Sequence, residues 1–168
     1  ASNSNFFGYS AGADAIDASN SNFFGENAGF EASNASYSNF LGAGAGAGAI
    51  NAGNSNFFGQ NAGASATNAA QSIFIGLAAG NNDLVNNTGS GDDYSILIGN
   101  WSSTGDNGSG VGYSNSIALG AYATNTASNQ FMIGSATRPI DTLVLTGSGG
   151  NTCVLDVTVA SPSCSSDE

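Results

Sequence analysis

A short apolar motif recurs along the chain at a nearly fixed interval. It first reads Ser4-Asn5-Phe6-Phe7-Gly8, and later copies keep the closing glycine and the apolar residues before it. The closing glycines are 17 residues apart four times and then 23, 21 and 14 apart, at Gly8, Gly25, Gly42, Gly59, Gly76, Gly99, Gly120 and Gly134. A period near 20 with one short apolar segment per unit predicts a solenoid, in which each repeat forms one coil.

The residue types between the motifs favour β-coils over helical coils. Seventeen residues are too few for two helices with their turns, and the many Gly and Asn residues disfavour helix. Small residues also recur in register, as in the column Ala11, Ala28, Ala45, Ala62 and Ala79. Such columns stack when each coil rises by the ~4.8 Å spacing of paired strands. We therefore predict an all-β fold, a parallel β-solenoid or β-roll with 17-residue coils.

Each motif contains two adjacent apolar residues, which point to opposite faces of a strand. One column consists of Phe6, Phe23, Phe40, Phe57 and Phe74, and the column directly before the glycine consists of Phe7, Phe24, Leu41, Phe58 and Ile75. Only one of these columns can line the coil interior. An outward stripe of five stacked Phe side chains would be a large apolar patch, so we expect the second face to be buried against another subunit.

Closed cyclic symmetry is the usual way for copies of one chain to bury such a face. We predict a homotrimer, which suits a slender fibre that continues end to end; the alternative is a monomer whose stripe is covered by a domain outside this sequence. An asparagine column is expected on the face of the interior Phe, at Asn5, Asn22, Asn39 and Asn56. Stacked amides of this kind form hydrogen-bonded ladders, although the column also suits a polar binding strip.

Charge excludes several classes of function. Among the 168 residues there is one Lys or Arg, no His, and a net charge of −11. A nucleic-acid partner is excluded because it requires a basic surface. Catalysis by His, Schiff-base chemistry on Lys and metal binding by His lack their residues. We expect a protein that is not an enzyme and has no cofactor, and the lack of a run of about 20 apolar residues predicts no membrane span.

The spacing divides the chain into three parts. Residues 1–76 are the regular 17-residue repeat. Residues 77–134 continue the solenoid with longer loops, because the intervals of 23 and 21 residues add length within 81–93 and 100–112. Residues 135–168 contain two alternating apolar segments around a Ser-Gly-Gly turn signal, which predicts a C-terminal β-hairpin or cap.

The longer loops contain the candidate binding residues. Trp101 is the only Trp, and with Tyr94 and Tyr113 it suits stacking on a sugar ring of a cell-surface glycan or receptor; the alternative is that Trp101 covers a coil edge. Three carboxylates are weak candidates for Ca²⁺ ligands or, less favoured, a glycosidase pair, namely Asp92, Asp93 and Asp106.

The two cysteines, Cys153 and Cys164, are eleven residues apart in the C-terminal part. An intrachain disulfide would close a hairpin-sized loop if their Cα atoms lie within about 7 Å. The alternative is a disulfide between chains. A reactive thiol is disfavoured because no basic residue is near either cysteine in the sequence.

Some segments resemble known fibre proteins. The segment 116–124, Ser-Ile-Ala-Leu-Gly-Ala-Tyr-Ala-Thr, is similar to the head repeat of trimeric autotransporter adhesins, as is the 14-residue step from Gly120 to Gly134. The Ser-Asn-Phe-Phe-Gly-x-x-Ala-Gly units resemble repeats of phage tail fibres, many of which end in an endosialidase-type intramolecular chaperone. These resemblances imply a left-handed β-roll of three chains, although the 17-residue step departs from the adhesin period.

The C-terminal end resembles the region before that chaperone. Residues 129–134 are similar to the segment that precedes it, and residues 163–168 to the junction itself. The family's junction continues with a basic stretch that this sequence lacks, so the resemblance implies that the chaperone is absent. A start at Ala1 is expected of a processed product or a fragment.

The expected function is attachment by a non-enzymatic extracellular fibre, of the phage tail fibre or bacterial surface adhesin type. The first alternative is a purely structural extracellular filament or spacer, because nothing in the regular repeat is typical of a receptor site. Ice binding is a third hypothesis, since flat solenoids of small residues order water, but regular Thr columns are missing.

Overall fold

The computed structural model describes residues 1–84, 94–105, 112–146, 152–156 and 164–165. Eight three-residue strands form one parallel sheet in sequence order: β1 (Asn5–Phe7), β2 (Asn22–Phe24), β3 (Asn39–Leu41), β4 (Asn56–Phe58), β5 (Ile73–Ile75), β6 (Ile96–Ile98), β7 (Ile117–Leu119) and β8 (Phe131–Ile133). The described residues contain no helix. The prediction of an all-β parallel solenoid with 17-residue coils is confirmed, and the chain makes about seven turns.

A second, antiparallel sheet follows the solenoid. It consists of β9 (Thr142–Thr146), β10 (Thr152–Asp156) and β11 (Cys164–Ser165) in the order β11-β10-β9. Its register pairs Cys153 with Leu145 and Leu155 with Cys164. The two cysteines therefore lie on neighbouring strands but not opposite each other, and the disulfide stays a prediction.

The strands of the solenoid stack in strict register through both long intervals and the short one. Phe74 pairs with Leu97, Leu97 with Ala118, and Ala118 with Met132. A second column of parallel bridges runs through Ile16, Ser33, Ile50, Thr67 and Leu84 on another side of the coil. Added residues therefore leave the ladder intact, as expected when insertions lie outside the repeating coil.

The interior contains one large side chain per regular coil. Phe6, Phe23, Phe40, Phe57 and Phe74 stack with ring centroids 4.7 Å apart, and Phe23 through Phe74 are fully buried. Each ring lies on a glycine of its own coil: a Cβ on Gly29 would be 2.3 Å from the Phe23 ring. The rest of the coil interior is filled by Ser and Ala side chains, among them Ser21, Ala28, Ala32 and Ala35.

The column of apolar residues that lies inside the coil is not the one expected from the sequence. The five-Phe column, expected to need another subunit, lines the coil, while the column that begins at Phe7 points outward together with Asn5. Adjacent strand residues always take opposite faces, so the alternation alone does not say which face is inside. The glycine six residues after each interior Phe decides it, because only a residue without Cβ leaves room for the ring.

The turns explain the abundance of Gly and Asn. In the second coil Gly25, Asn27, Gly29 and Glu31 all have positive φ, alternating with ordinary residues. The residues with positive φ donate their amides to neighbouring coils: the Gly29 amide donates to Ala45 O (2.8 Å) and the Glu31 amide to Ala13 O (2.9 Å). The residues between them donate within their own coil, as the Phe30 amide does to Asn27 O (3.2 Å). Gly and Asn adopt this left-handed conformation at the least cost.

The closing glycine of the motif is required by close contact between coils. Gly25 has a φ of +139°, and a Cβ there would be 2.5 Å from Gly42 O in the next coil. Neighbouring closing glycines meet in the same way. The most regular feature of the sequence is therefore the point where successive backbones approach too closely for a side chain.

Candidate functional site

The outward residues of β1–β8 form a two-column surface that we call the outer sheet face. Its first column is Asn5, Asn22, Asn39, Asn56, Ile73, Ile96, Ile117 and Phe131, and its second is Phe7, Phe24, Leu41, Phe58, Ile75, Ile98, Leu119 and Ile133. None of these side chains is charged. Many are substantially exposed, from 36% for Ile98 to 76% for Phe7. The face is therefore a continuous, uncharged and largely apolar surface.

The first four rungs of this face include a polar ladder. The Nδ2 of Asn5 donates to Oδ1 of Asn22, Asn22 donates to Asn39, and Asn39 to Asn56, each at 2.8 Å. A second ladder runs from Asn34 through Asn51 to Asn68 at 2.7 Å. Because these amides satisfy one another, they present few free donors or acceptors for a ligand.

The last four rungs have no such ladder. Ile73, Ile96, Ile117 and Phe131 continue the asparagine column, and beside them run Ile75, Ile98, Leu119 and Ile133. Both columns are therefore apolar over β5–β8. The change was visible in the sequence, because the aligned motifs replace Asn by Ile from the fifth copy onward.

The aromatic residues proposed for glycan binding lie at different places in their coils and differ in exposure. Tyr94 precedes β6 by two residues and is 50% exposed, whereas Trp101 follows β6 by three residues and is 51% exposed. Tyr113 is half-buried. The neighbour of Trp101 on the next coil is Tyr122, whose amide donates to Asn100 O at 2.8 Å. Register places Trp101 and Tyr122 at equivalent positions, two residues after Gly99 and Gly120.

Trp101 and Tyr122 both have left-handed backbone conformations, with φ of 58° and 60°. In the preceding coils the same position is occupied by smaller residues, namely Ser10, Asn27, Gly44, Asn61 and Ala78. A bulky side chain there costs on the order of 1 kcal/mol. The two exposed aromatic side chains are therefore held against a backbone preference, which marks this side of the coil as a candidate contact surface.

A buried carboxylate was missed by the sequence reasoning. Asp83 occupies the interior column of Ala15, Ala32, Ala49 and Ala66, and it is only 6% exposed. The Thr104 amide donates to its Oδ2 at 2.6 Å, and the Thr104 hydroxyl donates to Oδ1. Burial raises the pKa of the Asp83 carboxyl to about 6, although both bonds from Thr104 oppose the rise. Its register with the alanine column was a usable signal.

In the sequence, Asp83 and its partner Thr104 each stand just before one of the long insertions. Asp83 precedes the segment 85–93 by two residues, and Thr104 precedes the segment 106–111 by two residues. The Gly112 amide also donates to Leu84 O at 2.7 Å. These bonds connect the residues that flank the two insertions, which lie on neighbouring coils. Asp83 therefore stabilises this region through side-chain hydrogen bonds, which the alanines of its column cannot make.

The described residues contain no group of three or more His, Cys, Asp or Glu side chains that could hold a metal ion. The Ca²⁺ candidates Asp92, Asp93 and Asp106 lie outside the described residues. No helix among the residues that the structure describes has the length and hydrophobicity to cross a membrane.

Comparison with known proteins identifies no relative: no family model, curated protein or solved structure matches this chain.

Proposed function

We propose that this chain is a non-enzymatic segment of an extracellular attachment fibre and that it assembles as a homotrimer through the outer sheet face. The observation that carries the proposal is the outer sheet face, on which one outward column is apolar throughout and both are apolar over β5–β8. The likeness of the repeats to tail fibres and trimeric adhesins supports the attachment role. It rests on the motifs of the sequence alone.

The distribution of charge favours contact between copies at this face. With a net charge of −11, copies of the chain repel one another electrostatically as they approach. The acidic residues of the first two coils lie in the turns, at Asp14, Asp17, Glu26 and Glu31. The outer sheet face has no charge, so copies that meet there bury apolar area without desolvating carboxylates.

The mass of the chain in solution tests the assembly. We expect about three times the 16.5 kDa of one chain by sedimentation equilibrium. Ile98→Asp, in the middle of the apolar rungs, should shift the mass toward the monomer because it buries a charge at the contact. Ile16→Asp adds the same charge at an exposed position of another side, and it should leave the mass unchanged. A wild-type mass of one chain would overturn the trimer.

The proposed receptor is a cell-surface glycan, and the side of the coil with Trp101 supports it. Trp101 is 51% exposed, and an aromatic ring of this kind offers a flat apolar surface on which a sugar ring can stack. Binding on a glycan array that disappears in Trp101→Ala would support attachment. A protein that binds no glycan while remaining trimeric would remove the attachment role and keep the assembly.

A structural filament or spacer is the second candidate function. The specific observation that favours it is the regularity of residues 1–76, where phenylalanine and asparagine ladders continue from coil to coil. Micrographs that show copies joined end to end, together with no glycan binding, would favour this function over attachment.

A further inference from the structure

The last strand of the parallel sheet, β8, pairs with β7 on one edge and with no strand on the other. The Gly134 amide donates to Leu119 O at 2.8 Å, toward β7. Because alternate residues of a strand direct their N–H and C=O groups to opposite edges, Phe131 and Ile133 direct theirs away from β7. Among the residues that the structure describes, none forms a hydrogen bond with these backbone groups.

The corresponding groups of the earlier strands are paired. The first amide of every strand from β1 to β7 donates to the coil that follows, as the Asn5 amide does to Ser21 O (2.9 Å) and the Ile117 amide to Gln130 O (2.8 Å). The equivalent amide in β8 is that of Phe131. The outer edge of β8 therefore presents donors and acceptors in the pattern that a further strand requires.

A cavity of about 790 Å³ adjoins this edge. All of its lining residues lie within 122–143, that is, in the coil of β8 and the segment that follows it. The cavity is therefore on the side of the last coil that faces away from β7. The segment after β8 contributes Pro139, Ile140 and Leu143 to the lining, so a strand added to β8 would contact apolar side chains of this segment.

The side chains around the cavity specify an uncharged occupant. Its lining residues carry no charge, so a charged side chain placed there would lose hydration without gaining a partner. Met132 continues the interior column but is only half-buried, whereas Leu97 and Ala118 before it are fully buried. An apolar side chain of an added strand would cover Met132 as the following coil covers those two residues.

The backbone groups decide between a small molecule and a peptide. An apolar small molecule would fill the cavity but leave the N–H and C=O groups of Phe131 and Ile133 without partners. An extended peptide fills the cavity and also pairs these groups, as in other cases where a peptide adds to an exposed sheet edge.

We propose that the outer edge of β8 binds an extended, uncharged and mainly apolar peptide segment of a partner protein, which adds to the parallel sheet as a further strand. The peptide backbone pairs with Phe131 and Ile133, and its middle side chain covers Met132. Phe131 and Ile133 also belong to the outer sheet face, so the added strand extends that face by one rung. The attachment role proposed above does not require this partner.

The test uses a fluorescent peptide with blocked ends that copies residues 95–99, Ser-Ile-Leu-Ile-Gly, the strand segment of β6. Fluorescence anisotropy should show binding to the wild-type chain. The same peptide with N-methyl groups on its Ile, Leu and Ile amides keeps the side chains but loses the donors, so it should bind more than about tenfold more weakly. A wild-type chain that binds neither peptide, or binds both equally, overturns the proposal.

A pair of variants locates the peptide at the cavity. Ile140→Asp places a charge in the apolar lining and should weaken binding of the parent peptide by more than about tenfold. Ile16→Asp is the matched control, because it adds the same charge at an exposed position on another side of the coil. It should bind like the wild type. Equal binding by the two variants would contradict the site, and far-UV circular dichroism confirms that both retain the fold.

Hydrogen exchange on the wild-type chain tests the backbone pairing without any substitution. Saturating peptide should slow exchange of the Phe131 and Ile133 amides by more than about tenfold, because both become hydrogen-bonded. The Ile117 amide, which already donates to Gln130 O, should exchange at an unchanged rate. Peptide binding that leaves the Phe131 and Ile133 amides unprotected would overturn strand addition.

Discussion

The first four coils and the last four contribute their strands to one parallel sheet, but they differ in the residues that point inward and outward. In the first four, β1–β4 place Phe inside and an asparagine ladder outside. In the last four, β5–β8, the interior column changes from Phe74 to Leu97, Ala118 and Met132, while both outward columns become apolar. Apolar volume thus decreases inside the coil as apolar surface increases outside it.

The later coils bury larger polar side chains than the regular coils do. The regular coils fill the interior with Ala and Ser, whereas the later coils bury Asp83, Thr104 and Asn125. Asn125 replaces part of the missing interior volume in the short 14-residue coil, where its Nδ2 donates to Ile117 O at 3.1 Å. In the regular coils, identical residues of successive coils contact one another, Phe on Phe inside and Asn on Asn outside. The later coils are stabilised by individual contacts, so single substitutions there should have distinct effects.

The largest expected effect tests the stacked interior of the regular coils. Phe40→Ala removes a fully buried ring that stacks on Phe23 and Phe57, and it should lower the free energy of unfolding by about 3–5 kcal/mol. Leu41→Ala, the next residue on the outward face, should cost about 1 kcal/mol because that side chain is 40% exposed. Chemical denaturation at one protein concentration measures both. Equal costs would contradict the assignment of the two faces.

The next effect tests the buried carboxylate of the later coils. The pKa of Asp83 is raised from 3.8 to about 6, so the folded chain binds a proton more tightly than the unfolded chain. The stability that the neutral carboxyl provides is fully present below pH 3.8 and is lost as the pH rises through about 6. The loss should reach about 3 kcal/mol above pH 7, because one pKa unit corresponds to about 1.4 kcal/mol.

Asp83→Asn isolates this contribution from that of the other carboxylates. The amide keeps the shape and an acceptor for the Thr104 amide but does not ionise, so the difference between variant and wild type should grow from pH 4 to pH 8 in favour of the variant. Thermal unfolding across that range measures it. A difference that is constant with pH would show that the pKa of Asp83 is not raised in the folded chain.

The sequence predicted the solenoid and its register because the glycine requirement is local and periodic. Gly25 and its equivalents have no room for Cβ, so the spacing of one residue type located every coil. The choice of interior face was wrong because it depends on a packing contact, Phe23 against Gly29, that strand alternation does not contain. The cavity of about 790 Å³ between β8 and Leu143 was not predictable either, because its lining joins residues from Tyr122 to Leu143 that only the fold brings together.

A smaller effect tests the outward asparagine ladder. Asn39→Ala removes the hydrogen bond that Asn39 accepts from Asn22 and the one that it donates to Asn56. The free energy of unfolding should fall by only about 1 kcal/mol, because the side-chain amides of Asn22 and Asn56 can then bond to water. Asn39→Ile, which introduces the residue type of the later rungs, should cost no more than that in the monomer and should strengthen self-association by extending the apolar face. Sedimentation equilibrium distinguishes the two variants. Unchanged association in Asn39→Ile would limit the contact between copies to β5–β8.

The smallest effect concerns the bulky residues at positive φ, which occur in both regions. Trp101→Asn should raise the free energy of unfolding by about 0.5–1 kcal/mol, because Asn tolerates the left-handed conformation that Trp101 adopts at a φ of 58°. Tyr37→Asn is the matched change in the regular coils, at a φ of 61° between Asn20 and Asn54, and should give a similar gain. Only the first variant should lose glycan binding. If Trp101→Asn instead destabilises the fold while Tyr37→Asn stabilises it, Trp101 packs on the coil edge and its role is structural.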